Sequence, residues 1–365
     1  MLKPAELAKA LVSIQSFSNN ADIAAYLAKL LEENGQKVRL IEKGDTVNVV
    51  CEVGKGKTSV LFNGHTDTVP PAIGATNAIN GTVKDGVLSG LGVVDMKSGV
   101  AAMTCAFLEL VQQPERLGGK VILVLVGNEE KGGENGTAAT VSEGILADYV
   151  VIGEPTNLKI CNGQKSALQL ELSTDGVSRH AGRLRPNENA ITNLTKAISM
   201  LENEFPVPNG DDQFVFDKIT MNVGTILGGT AVNVVPAKCV SLLDFRFSPL
   251  VSCDEMLARV SRRLNGSVAS SEKFRAVGWT LDKNSDFCKA AVSALNSVNL
   301  LPEFIYKFGS NDARFYIEKG CSVVNIGPGN NLLSHTGKEE IETVQIEKAK
   351  EVYVQLAKQL LTNGG

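Results

Sequence analysis

The sequence is poor in the features that mark several protein classes. Nowhere do its 365 residues string together the roughly 18 apolar side chains of a membrane-spanning helix. The strongest apolar run, 121–126, has the length of one strand. No cysteine pairs as Cys-x-x-Cys. The seven (Cys51, Cys105, Cys161, Cys239, Cys253, Cys288 and Cys321) are scattered and odd in number. That argues against a disulfide framework and a cysteine zinc site, and suits small hydrophobes in a reducing compartment. A basic excess is missing too: 36 Lys and Arg stand against 40 Asp and Glu, so no nucleic-acid partner is expected. The opening MLKPAELAKALVSIQS lacks a charged-then-apolar leader pattern, so a cytoplasmic location without membrane attachment is expected. There is no internal repeat and no low-complexity tract.

What is present is ordinary globular composition, 43% hydrophobic and 21% charged, which excludes a wholly disordered or collagen-like chain. At about 150 residues per domain the length points to two domains or one large one, able to bury a core without staples. The first 160 residues alternate helix and strand signals. Ile23, Leu27, Leu30 and Leu31 recur at helical spacing before Gly35. Strands are expected at 47–50, 59–62, 121–126 and 149–152, and helices over 99–113 and 137–147. Such alternation implies a mixed, mostly parallel α/β sheet. The middle changes character. Strands at 167–173, 219–227, 239–247 and 273–278, with helices over 189–205 and 252–264, give β-α-β-β-α-β, the split ferredoxin-like order. An α+β domain over 164–278 is therefore expected to interrupt an α/β domain made of 1–163 and 279–365. The α/β pattern resumes with a helix near 285–298, a strand over 321–326 and a last helix whose Ala349, Val352, Leu356 and Leu360 form one face.

Chemistry gathers at strand ends. The chain has only three histidines, His65, His180 and His335. His65 and Asp67 follow one strand, Glu129 and Glu130 the next, Glu154 a third, and His335 a loop after a fourth. Asp95 precedes a helix. Ligands of open α/β sheets bind beyond the carboxyl ends of the strands. Imidazole and carboxylate together suit Zn²⁺, Co²⁺ or Mn²⁺. Two histidines and three carboxylates suffice for two cations if one carboxylate bridges. Glu129 and Glu130 are adjacent and point apart, so one can hold metal while the other acts as a general base. Each piece alone also fits a turn or a solvated surface; only their conjunction at one rim points to a site. Cys51 to Thr58 reads CEVGKGKT, which nearly matches a phosphate-binding loop. Its first glycine is Cys51, and a strand rather than a helix follows, so a hairpin turn is expected and no nucleotide.

These segments resemble a known family, the acetylornithine deacetylase, succinyl-diaminopimelate desuccinylase, aminoacylase and carboxypeptidase G metallohydrolases. The matching runs are NGHTDTVP (63–70), GVVDMKSGVAAM (92–103), NEEKGG (128–133), GEPT (153–156), SRHAGRLRPNENAI (178–191), NVVP (233–236), DFRF (244–247), SNDARF (310–315) and GPG followed by His335. They keep the family's order over nearly the whole chain. The resemblance implies two divalent cations, zinc first, with cobalt or manganese as substitutes. It places His65 and Glu154 on one cation and Glu130 and His335 on the other, with Asp95 bridging. It makes Asp67 the residue that orients the His65 ring and Glu129 the general base and later acid. It makes the inserted domain a lid that forms a homodimer, its His180 reaching the partner's site to stabilise an oxyanion. Arg246, Asn233, Ser310 and Asn330 are then substrate contacts. On the residues alone, His180 among Arg179, Arg183 and Arg185 also fits a solvated basic loop, Arg246 a surface charge, and Asn233 a turn before Pro236.

The sequence departs from the family at Asn128, where members usually carry Asp, at Val93-Val94, where residues are usually smaller, and over 72–80, which lacks an expected Trp and Pro-Phe. None removes a metal ligand. SNDARF and DFRF lean towards the desuccinylases, and the spacing from GPG to His335 towards the acetylornithine deacetylases. The implied activity is hydrolysis of the amide of an N-acyl amino acid in amino-acid biosynthesis. A dipeptidase or carboxypeptidase on the same metals is the alternative, and a non-catalytic metal-binding protein is disfavoured by the presence of Glu129.

Overall fold

The structure, a computed structural model, describes residues 2–71, 80–112, 114, 117–210, 215–266 and 268–362. The expected helix end at Gln113 and positions 72–79 of the departing segment lie outside the described residues. Two compact units result. The first holds the chain up to Asn162, Leu281–Ile305 and everything from Asn311 on; the second holds Gly163–Thr280 and Tyr306–Ser310.

The first unit is built on a mixed sheet. Its strands run in the spatial order Val38–Lys43, Thr46–Gly54, Lys120–Val126, Ser59–His65, Tyr149–Ile152, Ser322–Asn325, Ile160–Gln164. The centre is parallel: Ser59–His65 pairs in parallel with Lys120–Val126 and Tyr149–Ile152, which pairs in parallel with Ser322–Asn325. Both flanks are antiparallel. Residues 121–126 of Lys120–Val126 are continuously apolar because the strand lies between two others and is covered on both faces. Each fully buried Val or Leu there contributes about 1.5–3 kcal/mol.

The expected hairpin at Gly54–Lys57 is corrected by this topology. Thr46–Gly54 and Ser59–His65 are not neighbours, since Lys120–Val126 lies between them and pairs with both. Lys120–Val126 occupies the two strand edges that a hairpin would have paired with each other. Glycine permits the insertion: a Cβ on Gly119 would sit 2.2 Å from the Thr58 carbonyl oxygen. No helix follows the glycines, as the strand begins at Ser59.

Helices Pro4–Val12, Ser98–Leu110, Asp286–Ser297 and Thr343–Thr362 bury their apolar faces in the core of this unit. Phe62 and Tyr353 meet at its centre, ring centroids 5.6 Å apart, and the Tyr353 hydroxyl donates to the Ile326 carbonyl at 2.7 Å. The helix expected over 137–147 stops at Ser142, before left-handed Gly144. Three short strands, Thr82–Lys84, Val87–Ser89 and Glu340–Glu342, form a separate small sheet that no periodicity announces.

The second unit has four antiparallel strands in the spatial order Thr220–Gly228, Lys238–Phe247, Ser166–Asp175, Ala269–Ala276. Helices Ala190–Glu204 and Cys253–Leu264 pack on one apolar face formed by Leu168, Leu170, Leu172, Leu243, Phe245 and Phe247. Chain order is β-α-β-β-α-β. Caps explain the helix boundaries. The Ser252 side chain accepts the Glu255 amide at 3.0 Å, and Asn265 and Gly266 end that helix in left-handed conformations. The segment Tyr306–Ser310 is held here because the Tyr306 ring stacks on Phe216, 4.1 Å between centroids.

Candidate metal centre

Every group of the site in the first unit except Asp95 arrives from an end of a main-sheet strand or the loop after it. His65 closes Ser59–His65. Glu129 and Glu130 form a single short turn after Lys120–Val126. Glu154 follows Tyr149–Ile152, and His335 follows the strand Ser322–Asn325 by way of a short turn. Asp95 sits in the tight turn Val93–Lys97, just before the buried helix Ser98–Leu110. Parallel strands point their ends the same way, so these residues converge.

Asp95 stands between the two imidazoles. Its Oδ1 lies 3.0 Å from His65 Nε2, and its Oδ2 3.4 Å from His335 Nε2. His65 Nε2 is also 3.7 Å from Glu154 Oε1, and His335 Nε2 is 3.0 Å from Glu130 Oε1. Two sets of three, His65–Asp95–Glu130 and His65–Glu129–Glu154, place their donor atoms within 4.8 Å of one another. Nitrogen and oxygen donors so gathered, with His65, Asp95 and Glu154 buried, fit divalent cations of the zinc type. So many carboxylates in one pocket would otherwise repel one another.

The electrostatics record that crowding. For His65, burial disfavours the imidazolium, but hydrogen bonds to Asp67 and Asp95 and the charge of Glu129 outweigh it and raise its pKa well above the usual value. His335 is pushed up to about 9, chiefly by its hydrogen bond to Glu130. Burial drives the Glu129 carboxyl well up, opposed by the charge of His65 and reinforced by Glu154, Asp312 and Glu130. Neighbouring Asp312 is pushed up to about 7, again first by burial.

Asp67 acts through two different groups. Its backbone carbonyl oxygen lies 3.0 Å from His65 Nδ1, closer than its Oδ1 at 3.6 Å. Its carboxylate accepts the backbone amides of Glu129 at 3.3 Å and Glu130 at 3.2 Å. The turn carrying the two glutamates is thereby tied to the strand end carrying His65. Asn128 departs from the family pattern but suits its place: its φ is left-handed, at 69°, and its Oδ1 accepts the Asn135 amide at 3.1 Å.

The remaining candidates lie apart in kind. Asn330 belongs to the first unit, and its side chain accepts the Leu332 amide at 3.0 Å, capping a short turn before His335. His180, Asn233, Arg246 and Ser310 belong to the second unit. There His180 and Asn233 are exposed on adjoining segments: Ala181 donates its amide to the Asn233 carbonyl at 2.9 Å, and His180 bridges Val234. The Arg246 fork is taken by Asp244, with Nε–Oδ1 at 2.5 Å and Nη2–Oδ2 at 2.9 Å. Ser310 Oγ is 3.5 Å from Gln164 Nε2.

A model of peptidase family M20/M25/M40 matches residues 61–359, which is most of the chain and all of this site. The chain belongs to that family. It is a metal-dependent amidohydrolase. Among its relatives is succinyl-diaminopimelate desuccinylase 2 of Ruegeria sp. (strain TM1040), 31% identical over 381 residues, covering 96% of this chain and 93% of that protein. Among solved structures, the M20 family metallo-carboxypeptidase Sso-CP2 from Sulfolobus solfataricus matches with a TM-score of 0.82 at 19% identity, covering 99% of this chain and 100% of that one. YXEP of Bacillus subtilis, described as a dinuclear metal binding peptidase from the M20 family, matches with a TM-score of 0.75 at 15% identity over 98% of each chain. At such identities the two structures speak for the fold alone.

Sequence reasoning about this M20 hydrolase missed several residues that shape the site. Thr137 Oγ1 donates to Asp312 Oδ2 at 2.6 Å, and Arg314 Nη2 donates to the Gly132 carbonyl at 2.5 Å, so the segment after Ser310 grips the glutamate turn. Asp312 and Arg314 lie in a run that sequence reading singled out but gave no role. Glu339 sits in a Lys-Glu-Glu run that looks solvated, yet it is 5% exposed.

Proposed function

We propose that this M20 hydrolase removes the acyl group from an N-acyl amino acid of the N-succinyl-diaminopimelate type, with N-acetylornithine as the nearest alternative substrate. The observation that carries the reading is Asp95 offering one oxygen to each of two histidines, with Glu129 beside them. The desuccinylase relative, similar over nearly its whole length, supports the acyl-amino-acid class.

In this reading His65 and Glu154 hold one divalent cation, Glu130 and His335 the other, and Asp95 both, with zinc the first choice and cobalt or manganese able to replace it. Bound there, the cations supply Lewis acidity that polarises a carbonyl and acidifies water. Glu129 accepts the proton of the attacking water, whose oxygen adds to the acyl carbonyl carbon. His180 hydrogen-bonds the resulting oxyanion. The carbon–nitrogen bond then breaks as Glu129 returns that proton to the leaving amine. A carboxylic acid and a free amino acid result. Glu129 also lies within ligand range, and the base role is preferred because Glu154 and Asp95 already serve His65's side. Arg246, Asn233, Ser310 and Asn330 bind the substrate, the guanidinium taking a carboxylate in place of Asp244. The second unit acts as a lid and as the contact of a cytoplasmic homodimer, in which His180 serves the partner's site.

A dipeptidase or carboxypeptidase activity on the same metals is the second reading, supported by the match to a peptidase family model. The test is primary-amine release from N-succinyl-diaminopimelate, N-acetylornithine, other N-acetyl amino acids and dipeptides, each with zinc, cobalt or manganese and with chelator. Chelator-sensitive release from one acyl amino acid is expected. Turnover of dipeptides alone would replace the proposal with the second reading.

A further inference from the structure

Four residues beyond His335 the chain turns back into the protein at Glu339. The intervening 336–338 are exposed, but Glu339 is 5% exposed. A carboxylate taken out of water needs donors. Here the donor comes from the Asp95 turn: Val94 gives its backbone N–H to Glu339 Oε2 at 3.1 Å, and the backbone of Gly92 and Asp95 in the same turn also favours the charged carboxylate. The turn is shaped for this. Gly92 has φ of +75°, and a Cβ there would lie 2.4 Å from the Thr68 methyl, so successive amides can face one anion.

Glu339 is anchored on its other side as well. Its carbonyl oxygen accepts the Gly90 amide at 3.3 Å, and the following Glu340–Glu342 pairs with Val87–Ser89. His335, at the far end of the same loop, holds a left-handed φ of 62°. One side chain therefore joins two loops 245 residues apart in sequence, one carrying Asp95 and the other His335, whose ligand atoms stand 3.4 Å from each other.

We infer that Glu339 is a positioning residue: by capping the Asp95 turn from the His335 loop, it sets the separation of the bridging carboxylate and the second histidine before any cation arrives. This rests on the two-cation reading above. Outer partners of metal ligands commonly contribute about 10- to 100-fold in metal affinity. Zinc titration of the chelator-stripped full chain by calorimetry, followed by the visible spectrum with Co²⁺, tests it. In Glu339→Ala, zinc affinity is expected to fall about 10- to 100-fold and the cobalt bands to shift. Glu339→Gln keeps one oxygen for Val94 and should lose less, and it carries the test should the alanine variant not fold. Wild-type affinity and spectrum in both variants would overturn the inference, even with a lowered melting temperature, because that result belongs to a merely structural residue. A wild-type chain that takes up no zinc would overturn the two-cation reading and this inference with it, whereas unaffected variants of a zinc-binding wild type overturn this inference alone.

Discussion

Glu129 and Glu130 are neighbours in sequence with one anchor, the Asp67 carboxylate, and the proposed function gives them different tasks. Only Glu130 lies against His335. Glu129→Gln is therefore expected to keep both zinc ions, measured by metal content, while losing nearly all turnover. A loss of one zinc equivalent would make Glu129 a ligand instead. Lys165, in the second unit, shows what a buried charge does to stability. It is fully buried, donates to the Lys218 carbonyl at 2.7 Å, and burial lowers its pKa from 10.5 to about 8. Between those values the unfolded chain binds the proton and the folded chain has released it, so stability rises with pH. The melting temperature of wild type relative to Lys165→Met should climb from about pH 8 towards 10.5. Parallel curves for the two proteins would refute this.

At the scale of elements, the glutamate turn depends on how closely the helix Ala313–Ile317 and its preceding residues approach it. Gly133 has φ of +74°, and a Cβ there would lie 2.5 Å from Asp312 Oδ1 and 2.7 Å from the Phe315 ring. Gly133→Ala adds strain of about 1–3 kcal/mol and pushes the turn away from the Asp312–Arg314 grip. Small displacements of a catalytic group cost about 100-fold in rate. A fall of that order in kcat, with a lowered melting temperature, is expected from steady-state kinetics and thermal unfolding. Undiminished kcat would show that the turn holds its place without the grip. The elements themselves were largely legible. The continuous apolar run 121–126 and the helical stripe through Ala349, Val352, Leu356 and Leu360 reflect burial that sequence periodicity records directly. Strand neighbours were not legible. The run from Thr46 to His65 looks like a hairpin because adjacency in sequence says nothing about a third strand entering between two others. Short exposed pairings such as Val87–Ser89 with Glu340–Glu342 carry no apolar pattern to read.

For the whole molecule, the proposed chemistry draws on both units, since His180 belongs to one and the glutamates to the other. If His180 serves the partner's site, Glu129→Gln and His180→Ala, each nearly inactive alone, should regain activity when their protomers are exchanged in a mixture. Continued inactivity, with mixed dimers demonstrated by mass, would confine the reaction to one protomer. Among the described residues no helix is long and apolar enough to cross a membrane, which agrees with the missing apolar runs of the sequence.

The sequence by itself determined the α/β class and the convergence of His65, Asp95, Glu130, Glu154 and His335, because each follows a strand or precedes a helix and parallel strands end at one rim. It determined family membership through motifs kept in order. Only the tertiary structure decided which atoms do the holding. The Asp67 carbonyl meets the His65 ring while its carboxylate takes two amides, Arg246 is paired with Asp244, and Glu339 is buried against a turn 245 residues away. Periodicity reports whether a side chain is buried in an apolar face. A buried polar group is satisfied by partners from anywhere in the chain, and their identity exists only once the chain has folded.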